Sequence, residues 1–167
     1  MATPIITAAA HGSDEPHQQP STSGLAAPAV YYDHWGWLVL PAGDRLLLTT
    51  NDRISAVELP AVLGAEMQHY LTVRLLAGPV IALPGTPRRW LLLTQSADES
   101  APINLVRLRA RGALTHRDGT LVPLPPSRVE SGVVTWRVPP SLDGPSLPPF
   151  TAVVAAARAV TETARLT

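Results

Sequence analysis

Cysteine is absent from these 167 residues, which excludes a disulfide framework and any thiolate metal centre. Lysine is absent too, so all 13 basic residues are arginine. With 18 prolines and abundant alanine, that skew matches a GC-rich coding genome rather than a demand for guanidinium chemistry. No apolar run approaches the roughly 20 residues that span a bilayer, and no basic start followed by an apolar stretch opens the chain. The expectation is a soluble cytoplasmic protein with no membrane partner. No Gly-x-Ser-x-Gly elbow, Walker loop or Rossmann glycine pattern occurs, so hydrolase, P-loop and dinucleotide chemistry have no support. The five histidines, His11, His17, His34, His69 and His116, show no metal-ligand pairing on a predicted helix. No metal and no cofactor is expected.

What remains is the pattern of one α+β domain. Residues 1–29 are rich in Ala, Pro, Ser, Thr and Gln without periodicity and read as a disordered tail. The domain is expected over 30–138, followed by a Pro-rich linker at 139–149 and a C-terminal helix at 150–167. Trp35–Leu40 and Arg45–Thr50 read as a hairpin around Pro41–Asp44, and Ile54–Leu59 as a third strand. Pro60 suits the first turn of a helix over 60–76 with Leu63, Met67, Leu71 and Leu75 inward, stopped by Gly78-Pro79. Val80–Leu83 and Trp90–Thr94 form a second hairpin. Residues 103–111 read either as a short helix capped by Ser100 or as an alternating strand. Ala113–His116 and Thr120–Val122 are strands around an Asp118-Gly119 turn, and Val133–Val138 is a last strand. A mostly antiparallel sheet with one main packed helix and short additional helices follows from this order.

The segment Gly112–Ser127, GALTHRDGTLVPLPPS, resembles the end of the catalytic core in the bifunctional DNA primase/polymerase (prim-pol) family. Gly112, the Asp118-Gly119 turn, Leu121-Val122 and Pro125-Pro126-Ser127 fall in register, and Leu114 stands at the place of the family's metal-binding aspartate. Upstream, Leu46–Pro60 resembles the segment that carries two acidic ligands, with Thr50 and Ser55 near its small polar positions. Glu58 takes the first acidic place and Pro60 the second. The strand Arg88–Leu93 resembles the one that begins with a histidine; Arg89 or Trp90 stands there instead. Ser131-Gly132 and Trp136 fit loosely downstream, with Val129 at another histidine place. The resemblance runs from about Trp37 to Val138.

The resemblance implies a prim-pol-like core, a vestigial metal-site position at Glu58 and no catalytic residues. Two-metal nucleotidyl transfer needs several converging carboxylates, and one does not make that cage. Apart from the resemblance, Glu58 reads as a charge placed favourably before a helix. Charge is uneven along the chain. Residues 1–60 hold six acids against two arginines, and residues 88–128 hold seven arginines (Arg88, Arg89, Arg107, Arg109, Arg111, Arg117, Arg128) against three acids. Those seven are the candidate nucleic-acid-binding residues. Trp35, Trp37, Trp90 and Trp136 serve either the core or base stacking. The function expected is a catalytically inactive module with a regulatory role that binds nucleic acid or a nucleotide weakly. The alternative is a protein-interaction or structural module whose Ala-rich C-terminal helix docks on a protein partner or a second copy.

Overall fold

A computed structural model of the chain describes residues 32–97, 102–141 and 143–163. The expected tail, 1–29, lies outside them, as does Ser100. Ten strands and three helices occur among the described residues. The strands are β1 (Val39–Ala42), β2 (Arg45–Thr49), β3 (Ile54–Pro60), β4 (Val80–Leu83), β5 (Arg89–Gln95), β6 (Leu114–His116), β7 (Leu121–Leu124), β8 (Arg128–Val129), β9 (Gly132–Val133) and β10 (Thr135–Val138). The helices are α1 (Ala61–Val73), α2 (Pro102–Arg109) and α3 (Phe150–Thr163). The fold is α+β, and every strand pairing is antiparallel.

A five-stranded sheet, ordered β10-β4-β5-β3-β6, lies between two other layers. Side chains alternate across a strand, so Val57, Leu59, Val80 and Leu92 meet Met67 and Leu71 of α1, Leu108 of α2 and Phe150, Val153 and Val154 of α3. On the opposite face Ile54, Ala56, Ile81, Leu91 and Leu93 meet Leu46, Leu48, Val122 and Leu124 of the three-stranded sheet β1-β2-β7. Being covered on both sides explains why successive residues of β3 are buried and why β5 carries the unbroken apolar run Trp90–Leu93, which alternation alone would not produce.

Several expectations change. The first turn is Gly43-Asp44, because Pro41 and Ala42 pair with Leu46 and Arg45. β1 is an edge strand, and an edge tolerates proline. Residues 102–109 are helical, which settles the alternative left open there. The strands flanking Asp118-Gly119 do not pair with each other. Gly119 N–H donates to Thr50 O at 2.7 Å and Thr50 N–H to Thr120 O at 2.9 Å. This mooring carries the chain from β6 in the large sheet to β7 in the small one. The last strand is split into β9 and β10.

Helix α1 ends at Val73, short of 76. Leu76 N–H donates to Leu71 O and Leu75 N–H to Thr72 O, a Schellman closure with Leu75 at φ 57°. Leu75 is therefore 93% exposed rather than buried, while Met67 and Leu71 are buried and Leu63 packs at the core's edge. Gly78 is not the cap. It lies against the 145–149 segment, where a Cβ would come within 2.3 Å of Pro148 Cδ. The apolar face of α3 is covered within the chain by α1 and β5.

Candidate functional site

Glu58 lies on the face of the large sheet that also carries Ile54, Ala56, Leu91 and Leu93. It is central in β3, directly opposite Leu114 of β6 and Leu91 of β5. Its diagonal neighbours are Arg89 on one side and His116 on the other, because Pro60 pairs with Arg89 and Ala56 with His116. Both carboxylate oxygens are engaged. Arg89 Nε donates to Oε1, and His116 Nε2 lies 3.0 Å from Oε2. A carboxylate only accepts hydrogen bonds, so Nε2 of His116 carries the hydrogen. Arg89 Nη2 also donates to Gly112 O at 2.9 Å, tying the loop before β6 to β5. The Glu58 side chain is 16% exposed. The hydrogen bond from His116, followed by Arg89, holds its carboxyl below the usual glutamate range, against burial, which pushes the other way. Glu58 is thus a member of an ion-pair network on the sheet rather than a charge facing the helix end.

Three of the places that the prim-pol resemblance gives to ligands fall together here, and of the two candidates for the histidine place Arg89 joins them while Trp90 lies on the other face of β5. Glu58, Pro60 and Leu114 share one face of β3 and β6, and Arg89 adjoins them on β5. Leu114 is 52% exposed, so this patch opens to the surface. The residues present do not fit a pair of metal ions. Among the described residues no three His, Asp or Glu side chains converge on one point, and the one carboxylate of the patch is paired with a guanidinium.

The seven candidate arginines do not form one surface. Arg89 belongs to the Glu58 network. Arg107 and Arg109 lie exposed in the last turn of α2, where cations favour the helix's carbonyl end. Arg111 follows in the turn after α2, which ends at Arg109. Arg117 reaches Ala97 O at 3.4 Å. Arg128 is on β8, its N–H donating to Asp44 O. Arg88 lines a cleft on the helical side of the sheet. Since α2 packs by β6 and Arg88 lies by β4 and β10, the two groups stand at opposite edges of the large sheet.

Trp37 is buried, and Trp35 and Trp136 pack partly buried around Tyr32 in the core between the sheets. Trp90 alone sits on the helical side, half-buried. Sequence reasoning missed His116 and Arg137. His116 stands two residues after Leu114, hence on the same strand face, a signal present once β6 is read as a strand. Arg137 falls outside the arginine-rich window but shares the cleft with Arg88. No protein-family model matches the chain, and no curated protein and no solved structure does so either.

Proposed function

We propose that this chain is a non-catalytic module of prim-pol-like architecture with a regulatory role, binding nucleic acid or a nucleotide weakly. The observation that carries the reading is the patch around Glu58. Glu58 and Pro60 on β3, Arg89 on β5 and Leu114 on β6 come from three separate stretches of the sequence, yet they adjoin on three neighbouring strands, as ligands of a shared metal centre must. Glu58 is the one acid among them, and Arg89 and His116 engage both its oxygens. The chain's net charge of zero gives little long-range attraction, so affinity for single-stranded DNA at physiological salt is about micromolar or weaker.

Template-directed primer extension with Mg²⁺ and with Mn²⁺ tests the non-catalytic half. The expected result is none above background; extension that disappears in Glu58→Ala contradicts it. A mobility assay with single-stranded DNA across a salt series tests the binding half. A protein-interaction role is the second reading. It is favoured by the exposed Val62, Val73 and Leu75 of α1 and its C-terminal turn, and it becomes the better account if no DNA binding appears at low salt.

A further inference from the structure

We infer that the cleft between the β4–β5 turn and the β9–β10 segment is the site for a nucleotide, free or as one residue of a single strand. The inference rests on the binding half of the function proposed above and gives it a location. The cleft has a volume of about 690 Å³, within the range of small-molecule sites. Two arginines, Arg88 and Arg137, line it and no acidic residue does. Neither arginine is in an ion pair with an acidic side chain among the described residues. A concave place with two uncompensated guanidinium groups concentrates positive potential, and the guanidinium fork matches phosphate oxygens.

Trp90 lines the same cleft. Its ring rests on Gly64 of α1, where an added Cβ would come within 2.8 Å of Cε3, so one side of the indole is seated against the helix backbone. The Arg137 guanidinium stands 5.4 Å from the ring centroid, within cation–π range. A fixed indole beside two guanidinium groups offers an apolar plane for a base and donors for its phosphate. The hydroxyls of Thr86 and Thr135 border the cleft and can meet polar edges. Its two walls are braced, because Ser131 Oγ donates to Pro84 O at 3.0 Å. Trp90 and Arg89 point to opposite faces of β5, so the cleft is separate from the Glu58 patch.

Fluorescence anisotropy of a labelled oligothymidylate, measured over a salt series with the full chain, tests the assignment. Arg88 and Arg137 are exposed, so Arg88→Ala/Arg137→Ala is expected to keep the wild-type unfolding midpoint. It should weaken binding about tenfold or more and reduce the logarithmic salt slope by roughly 1.4, the loss of two phosphate contacts to a single strand. Arg107→Ala/Arg109→Ala/Arg111→Ala, at the other edge of the sheet, should bind within about twofold of wild type, since it removes no contact in the cleft. Thymidine monophosphate that displaces the probe identifies a mononucleotide pocket, and displacement by oligomers alone identifies a strand groove; both agree with the assignment. Inorganic phosphate displacing the probe as well as the nucleotide does would overturn it. So would equal affinity of the wild type and the Arg88/Arg137 variant. If binding is lost in the α2 variant instead, the binding reading stands and the cleft assignment falls. If the wild type binds nothing at low salt, both fall.

Discussion

Ser127 shows how one residue joins distant parts of the chain. It is fully buried, and its hydroxyl accepts from Leu46 N–H at 2.8 Å while donating to Leu46 O at 3.0 Å. Tyr32 Oη donates to the neighbouring Pro125 O at 2.7 Å. The Pro-Pro-Ser run thus holds the start of β2 from outside its sheet. Ser127→Ala leaves two buried backbone groups unpaired and should cost about 1–3 kcal/mol in urea unfolding. A loss near zero would mean that water replaces the hydroxyl. Glu58 gives the second prediction at this scale. A carboxyl held below the ordinary value of 4.5 binds its proton less readily in the folded state. Its stabilising effect is therefore complete above 4.5 and disappears as pH falls through the lower folded value. Glu58→Gln should be less stable than wild type at neutral pH by about 1–3 kcal/mol, and the two unfolding midpoints should converge in acid. A pH-independent difference would contradict the charge network.

At the scale of elements, α1 carries the most instructive departure. Its start, its apolar face and its two flanking strands are legible, because Pro60, Gly78 and Pro79 punctuate apolar runs of suitable length. Its end is not legible: the closure uses Leu75 at positive φ, where glycine is the usual choice. Gly78 is needed instead for close approach to Pro148, a contact across 70 residues that no local pattern contains. Since Leu75 is exposed and buries no core area, Leu75→Gly removes backbone strain at little other cost. It should raise stability by about 0.5–1 kcal/mol, seen as a higher urea midpoint. A drop would mean that the leucine side chain has a partner. Helix α2 was undecidable locally. Leu105 and Leu108 suit a helical face, while Arg107, Arg109 and Arg111 alternate with Val106, Leu108 and Ala110 as a strand would; packing of Leu108 into the helical layer decides it.

For the molecule as a whole, the class was legible from the order of elements, whereas the layering was not. A second sheet covering the first appears only when β7 pairs with β2 across 70 or more residues. The candidate site divides in the same way. Glu58 and Leu114 stand out through the family resemblance, but His116 becomes a partner of Glu58 only through the β3–β6 register. On the function proposed above, the Glu58 patch is a prim-pol-like metal position converted to an ion pair. Calorimetric titration of Mn²⁺ into the wild type and into Arg89→Ala/Leu114→Asp tests it most directly. The double variant frees the Glu58 carboxylate and sets a second one directly opposite, at about 4.5–5.5 Å between Cβ atoms, with His116 beside them. No saturable binding to the wild type is expected, and a new site in the variant that disappears when Glu58→Ala is added. Saturable Mn²⁺ binding to the wild type that Glu58→Ala abolishes, or a double variant that binds no better than the wild type, would contradict it.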